Sequence, residues 1–346
     1  MWCYIDYIGV IIEENLMQQR DTYFDFLRGI AIIMVIGIHT YTDGLMHFNL
    51  FLRQFLNCAV PIFLVISGYF IGHKSFTEQG CYVKFLKKQV PRVYIPMLLW
   101  SIPWLILSLH QGELLSKSLV RVFVGDMSMS IFYFIILIMQ YYILTPFIQR
   151  ANTQFGGGGK YAVIITLIGI TLFDYLLRIK SINVPLVGSA GLFPVWLIFY
   201  VMGVLKAQKI NLPFLCKRPL IWALFAILLC CLQIGLMYKL NGGVVHGIKL
   251  SAHIYSFFVV MWLFTKQARS CYSKIQNIKV VHHVIVVGKL SFFIYLTHCL
   301  FLYAFNYIQF PNAWSLRWVT CLCLSYGMAM VFDKVCPQKM KKYFGF

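Results

Sequence analysis

The chain has 346 residues, of which 60% are hydrophobic, 17% aromatic and only 12% charged. Its mean hydropathy is +0.75. This apolar share is well above that of soluble domains, so a single water-soluble domain is excluded. The 30 Lys and Arg against 11 Asp and Glu give a formal net charge of +19. In a soluble protein this excess would indicate nucleic-acid binding, but an apolar chain requires a membrane interpretation first.

The cysteines do not have the pattern of a disulfide framework. Their number, 11, is odd, and most of them lie within apolar runs. Cys321 and Cys323 are two positions apart on a predicted helix and so point in different directions, which argues against a metal pair. No cluster has suitable ligand spacing, and we predict no metal site. We also expect no cleavable signal peptide, because the first strong apolar run starts near Phe24 and contains Arg28.

Ten apolar runs are long enough to cross a bilayer at about 20 residues per crossing. In chain order they are 24–43, 54–73, 92–110, 131–149, 161–178, 190–206, 219–238, 250–266, 284–306 and 313–333. We therefore predict an all-α fold, a polytopic membrane helix bundle with about ten transmembrane helices, with nine or eleven left open. The predicted parts are an N-terminal segment, a transmembrane domain and a basic tail, at 1–23, 24–333 and 334–346.

Charge asymmetry indicates the orientation, because cytoplasmic loops hold most Lys and Arg of a membrane protein. With the N-terminus inside, 20 of these residues fall in inner segments and 8 in outer ones. The sequence therefore predicts both termini in the cytoplasm and a multi-pass protein of the cytoplasmic membrane. Orientation and anionic lipid explain the positive excess, so we predict no nucleic-acid partner.

Two connections have distinctive patterns. Residues 113–124 mix apolar side chains with Lys117 and Arg121, which predicts a helix lying flat on the outer surface. The glycines at 156–159 predict a flexible inner linker, since a phosphate cradle would need a following Lys-Ser or Lys-Thr.

The first span contains two ionisable groups that are costly to bury in lipid, Arg28 and His39. They are eleven positions apart, so they share one helical face about 16 Å apart along the axis. Asp25 and Asp43 follow the same register, three before Arg28 and four after His39. Asp43 is a candidate to orient His39, or it belongs only to the outer loop. His39 is a candidate catalytic base, with a packing histidine as the alternative.

The ninth span offers a second polar face. Ser291, Tyr295 and His298 occupy positions i, i+4 and i+7. With this topology His298 lies in the outer half, at a depth similar to that of His39. His298 is therefore a catalytic candidate, although it could instead only hydrogen-bond a neighbouring helix. Asp174 and Arg178 form an i, i+4 pair that we interpret as structural.

A basic face precedes the third span. If the segment is helical, its four cations lie within about 120° of the helix surface. They are Lys84, Lys87, Lys88 and Arg92. This face could bind anionic lipid or the phosphates of a nucleotide-like cofactor, and composition alone favours lipid.

Several motifs together resemble one known family, the acyltransferase-3 family of integral-membrane O-acyltransferases. The matches, in order, are Asp25-Phe26-Leu27-Arg28-Gly29 leading to His39, Val60-Pro61 through Ser67-Gly68-Tyr69, basic residues ending in Arg92, Tyr142 to Pro146, and Gly288-Lys289-Leu290-Ser291 through Tyr295-Leu296-Thr297-His298. The family often has a His-Leu-Trp element where this chain has Ser130-Ile131-Phe132. The acceptor preference is therefore expected to differ, and we expect a stand-alone form.

This resemblance implies an acyl-CoA donor, most often acetyl-CoA, used from the cytoplasm, and a hydroxyl acceptor on a cell-surface or exported glycan. His39 would act as general base or carry the acyl group, while Arg28 and the basic face would hold the donor. Ser67 and Tyr69 are further site candidates. The expected partners are membrane lipid and a glycan or lipid-linked saccharide. The alternatives are a carrier or flippase for such saccharides and a structural subunit of a polysaccharide-export assembly.

Overall fold

A computed structural model describes residues 21–41, 47–76, 80–155, 158–174, 185–210, 218–241 and 248–346. Within these ranges every long regular element is an α-helix. The helices are α1 Thr22–His39, α2 His47–Gln54, α3 Ala59–Gly72, α4 Cys81–His110, α5 Leu115–Val124, α6 Tyr133–Phe155, α7 Gly158–Asp174, α8 Phe193–Ala207, α9 Pro219–Asn241, α10 Leu250–Leu263, α11 Lys266–Ile275, α12 Lys279–Lys289, α13 Ser291–Tyr307, α14 Trp314–Val335 and α15 Gln338–Phe344. Short 3₁₀ turns at Phe55–Cys58 and Leu186–Gly188 complete the described elements.

The described helices make this a polytopic membrane protein by length and composition. Six helical stretches are long and apolar enough to cross a bilayer: α1, Asn49–Gly72, α4, the part of α6 up to Thr153, the part of α9 up to Leu236, and α14. A seventh is the pair α12 and α13, which is bent by 85°. Three shorter apolar helices lie at α7, α8 and α10. The all-helical class is thus confirmed, while the count of ten and the orientation of the termini stay predictions.

Three predicted boundaries differ from the structure. The first helix ends at His39 rather than continuing to residue 43. The third span is part of a single 30-residue helix that also contains the basic segment and three internal prolines. The ninth span breaks at Leu290, the residue between α12 and α13. Apolar content alone does not reveal such breaks, because a bent or broken segment in a bilayer is as apolar as a straight one.

The connection after α4 forms the predicted amphipathic helix, α5. The Glu113 carboxylate accepts a hydrogen bond from the Ser118 hydroxyl and pairs with Lys117 and Arg121 at 3.2 and 3.0 Å. These contacts hold the pKa of Glu113 below its usual value, and the hydrogen bond from Ser118 contributes most to this lowering. A network of this kind fixes the start of α5 against the end of α4.

Glycines allow two helix pairs to approach closely. Gly68 on α3 faces the Tyr200 carbonyl of α8, and Gly203 on α8 faces the Val65 carbonyl of α3. Gly288 on α12 lies against the Asp25 carbonyl of α1, where a Cβ atom would overlap the backbone. Small residues at helix contacts are typical of membrane bundles, since packing rather than hydrophobic burial drives association there. The second of these contacts fixes the helical turn that contains Arg28.

Candidate active site

A cavity of about 250 Å³ lies among helices α1, α3, α4, α6, α8 and α13. Its walls include five residues that the sequence marked as site candidates. These are Arg28, His39, Ser67, Ser291 and Tyr295. The remaining wall is mainly aliphatic and aromatic, so a few polar groups are presented in apolar surroundings. Cavities of this composition are typical of small-molecule and cofactor sites.

Arg28 forms one end of the polar lining. Its Nη1 atom lies 3.1 Å from Oδ1 of Asp25, and the Asp25 side chain is fully buried. The guanidinium also lies 5.1 Å from the centre of the Phe70 ring. A buried carboxylate needs a charged partner, so Asp25 favours a cation at position 28 and orients it. The i, i+3 spacing within α1 places these two side chains on one face, and Arg28 remains partly accessible in the cavity.

His39 forms the other end, at the last residue of α1. Its ring centre lies 5.6 Å from that of His298 on α13, so the two imidazoles are in contact distance. The structure records no hydrogen bond between the His39 ring and any described residue. Its nitrogens are therefore not committed to the described protein and can serve a molecule in the cavity.

The tautomer of His298 follows from its surroundings. Its Nδ1 atom lies 2.8 Å from the carbonyl oxygen of Tyr295 and 3.2 Å from that of Ile294. Carbonyls only accept, so Nδ1 carries the proton and, in the neutral ring, Nε2 is an acceptor. Nε2 lies 3.4 Å from the sulfur of Cys299. His298 is fully buried and does not line the cavity. It therefore packs near the His39 ring without lining the cavity itself.

The predicted partner Asp43 lies outside the described residues. Its placement beside His39 rested on a helix continuing through residue 43. Because α1 ends at His39 and Thr40 forms its cap, that helical register does not extend to Asp43. The Asp174 and Arg178 pair also involves a residue outside the described part.

The polar residues of α13 do not all face the cavity. Ser291 and Tyr295 line the cavity, whereas His298 packs against His39. The Tyr295 hydroxyl donates a hydrogen bond to the Ile131 carbonyl. This bond ties α13 to the segment Ser130-Ile131-Phe132, where the chain departs from the family motif. Ile131 itself contributes to the cavity wall, so the departure lies at the site rather than elsewhere.

The three residues of the Ser-Gly-Tyr element of α3 also have different surroundings. Ser67 lines the cavity, but Tyr69 does not. The Tyr69 ring instead stacks on Phe24 at 4.9 Å and meets the His73 ring edge-on at 4.7 Å. Gly68 between them is required for the close approach of α8. The element therefore supplies one polar group to the cavity, one helix contact and one aromatic packing residue.

The basic face is helical, as the spacing required, but it lies outside the cavity. The exposed side chains are Lys84, Lys87, Lys88 and Arg92 on the first part of α4. Two contacts connect this face to the cavity wall. Val93, which follows Arg92, lines the cavity. Phe85, which follows Lys84, packs against the cavity residue Tyr142 with ring centres 5.7 Å apart.

Sequence reasoning missed several polar residues near the cavity. Asn57 and Tyr133 line it. Lys249 is fully buried, and its Nζ atom donates to Oε1 of Gln54 at 3.0 Å. The signal for Asn57 was available, since an amide stands within an otherwise apolar run. Among the described residues, no group of three or more His, Cys, Asp or Glu side chains could hold a metal ion.

Taken together, the apolar helices define a polytopic membrane protein, and these helices surround a mainly apolar cavity that presents a few polar groups. The chain belongs to the acyltransferase-3 family, because the acyltransferase-domain model of that family matches residues 21–334, nearly the whole chain. The protein is therefore a membrane acyltransferase, and the resemblance seen in its motifs is confirmed. Comparisons with curated proteins and with solved structures found no match.

Proposed function

We propose that the protein is an O-acyltransferase of the cytoplasmic membrane, with both termini in the cytoplasm. It transfers an acyl group from acyl-CoA to a hydroxyl of a cell-surface or exported glycan, and we propose that this acyl group is acetyl. The observation that carries the proposal is the single cavity lined by both Arg28 and His39. A fixed cation and a titratable imidazole in one enclosed space suit a reaction in which charge develops at one point and a proton leaves another.

The transfer needs a base for the acceptor hydroxyl. The neutral His39 ring accepts the hydroxyl proton while the oxygen attacks the thioester carbonyl. The carbon–sulfur bond then breaks, the ester forms, and the CoA thiolate recovers the proton. His298 supports this step by packing against His39 at 5.6 Å between ring centres, which limits the rotation of the His39 ring.

The donor is proposed to enter from the cytoplasmic side. Acyl-CoA has phosphates at one end and the thioester at the other, so it needs cations followed by an enclosed polar path. Lys84, Lys87, Lys88 and Arg92 supply the cations, and Val93 continues from them into the cavity wall. Arg28 then contacts the thioester region or the nearest phosphate through its guanidinium, which Asp25 orients.

The test is the ester content of the glycan from cells that produce variants of the protein. We expect His39→Ala to abolish the ester signals in NMR spectra of the purified glycan, with the amount of exported glycan unchanged. The matched control is His283→Ala, which changes an exposed histidine on α12 away from the cavity. This control should retain the wild-type ester content.

The same experiment tests the main alternative, a carrier or flippase for polysaccharide or a lipid-linked sugar. A carrier uses polar residues in its spans to line a transport route. Intact esters together with blocked export in His39→Ala would favour the carrier and contradict the acyltransferase proposal.

A further inference from the structure

A buried polar network adjoins the His39 end of the cavity and has no role in the transfer step described above. Its centre is the side chain of Gln54, which is almost fully buried. Oε1 of Gln54 accepts from Nζ of Lys249 and from Nδ2 of Asn57, each at 3.0 Å. Nε2 of Gln54 donates to the Leu50 carbonyl at 2.8 Å. A fully buried ammonium group requires such acceptors, so the network is a built feature of the fold.

The network lies beside the His39 end rather than the Arg28 end. Asn57 belongs to the 3₁₀ turn Phe55–Cys58, which packs against the second half of α1. The sulfur of Cys58 lies 3.9 Å from that of Met34. Leu56 lies against Gly37, two residues before His39. Asn57 itself lines the same cavity as His39.

The hydrogen bonds determine which atom Asn57 presents to the cavity. An ammonium group only donates, so the Gln54 atom that faces Lys249 is the oxygen. The Leu50 carbonyl only accepts, so the opposite Gln54 atom is the nitrogen, and the two constraints agree. Asn57 must then turn its own amide nitrogen toward Gln54. Its oxygen, Oδ1, makes no hydrogen bond to a described residue and is the atom left for a molecule in the cavity.

We propose that Asn57 is a specificity-determining residue that binds the acceptor. Its Oδ1 atom accepts a hydrogen bond from a second hydroxyl of a polyhydroxylated acceptor while His39 takes the proton from the hydroxyl being acylated. Gln54 and Lys249 are positioning residues, since they act only through the orientation of Asn57. This inference rests on the proposed acyltransferase function. A buried acceptor atom selects strongly for a ligand with a matching donor, because an acceptor molecule without one leaves the atom unpaired.

The test is steady-state kinetics of the purified full-length protein in lipid nanodiscs. The probes are radiolabelled acetyl-CoA and cell-envelope glycan from the producing cells, stripped of its esters by mild alkali. Asn57→Leu removes the acceptor atom at similar side-chain size, and Asn57→Gln keeps an amide whose nitrogen can donate to Gln54 and whose oxygen can accept. We expect the glycan KM to rise about tenfold or more in Asn57→Leu and less in Asn57→Gln, since one buried hydrogen bond is worth about tenfold. The acetyl-CoA KM should stay within about twofold in both.

The outcomes separate this inference from the function on which it rests. A wild-type protein that transfers no label to the stripped glycan would overturn the proposed function and the role of Asn57 with it. A wild-type protein that transfers label would overturn the inference alone if Asn57→Leu kept the wild-type glycan KM. A parallel rise of both KM values, or no advantage of Gln over Leu, would also overturn it, because a merely structural role affects both substrates. Lys266→Arg, which changes an exposed lysine at the start of α11 away from the cavity, is the control and should retain the wild-type glycan KM.

Discussion

The two ends of the cavity are built from opposite electrostatic arrangements. At one end Arg28 is a permanent cation whose position is fixed by the buried carboxylate of Asp25 at 3.1 Å. At the other end His39 has no carboxylate among the described residues, and its neighbour is the imidazole of His298. The first arrangement suits the binding of a negatively charged or polarised group. The second leaves the ring nitrogens of His39 without a hydrogen bond to a described residue, which is why we propose donor binding at the Arg28 end and proton transfer at the His39 end.

The largest expected effect is at the His39 end. We expect His39→Ala to lower the turnover of acetyl-CoA in the presence of glycan by about 10²-fold to 10⁴-fold, the usual contribution of a general base. Acetyl-CoA affinity should be nearly unchanged, because Arg28 and the basic face, which the proposal makes the main binding groups for the donor, are left intact. Turnover by radiolabel transfer and affinity by calorimetry measure the two quantities. Equal losses of turnover and of acetyl-CoA affinity would contradict the proposal that donor binding and proton transfer depend on different ends of the cavity.

The next largest effect is expected at the helix contact that fixes Arg28. Gly288→Ala places a Cβ atom against the Asp25 backbone, and overpacking of this kind costs about 1–3 kcal/mol. Thermal unfolding in detergent measures the change. The control is Gly327→Ala on α14, where a Cβ atom meets nothing within 4 Å. This control should leave the stability unchanged or raise it slightly. Equal destabilisation by both variants would contradict the claim that the close α1–α12 contact requires glycine at position 288.

At the Arg28 end a conservative change should affect the donor. Arg28→Lys keeps a charge beside Asp25 but loses the planar guanidinium, so we expect the acetyl-CoA KM to rise about tenfold. The control is Arg269→Lys, which changes an exposed arginine that pairs with Asp21 at 2.8 Å and does not line the cavity. A KM change of the same size in both variants would argue for general stability rather than donor binding.

The smallest effect is expected on the basic face. Lys84→Glu together with Lys88→Glu should raise the acetyl-CoA KM about threefold to tenfold, and the effect should shrink at high salt, since exposed pairs are weak and screened. The matched control reverses the charge of two other exposed lysines by changing Lys274 and Lys279 to Glu. If both pairs change KM equally, the cations of α4 bind anionic lipid rather than the donor.

The helical register of α1 was predictable from sequence because one continuous helix extends from Thr22 to His39. Periodicity alone places Arg28 and His39 on one face, and composition alone predicts the helical membrane fold. The side chains that pack against a helix face cannot be predicted in this way. Tyr69 matches a family motif yet packs among aromatic rings, because motif spacing does not specify which neighbours a side chain meets.

The burial of Lys249 was not predictable from the sequence for a related reason. The rule that assigns cations to loops uses only the distance from an apolar run, and Lys249 immediately precedes α10. Its burial depends on an acceptor from Gln54, nearly 200 positions away in the chain. The contact of Asp43 with His39 stays a prediction, because Asp43 lies outside the described residues, although α1 ends at His39, earlier than the apolar composition indicated. Long-range partners and helix ends are set by packing and capping, which a hydropathy pattern does not contain.

The proposed mechanism requires Arg28 and His39 to act in one cavity, Arg28 on the donor and His39 on the acceptor hydroxyl that attacks the donor's carbonyl. Its most direct test is a structure of the protein in a lipid nanodisc with a non-hydrolysable acetyl-CoA analogue, in which a methylene group replaces the thioester sulfur. The account predicts that the analogue passes Arg28 and places its carbonyl carbon beside the His39 ring. An analogue bound elsewhere, or packed side chains filling the space between Arg28 and His39, would contradict it.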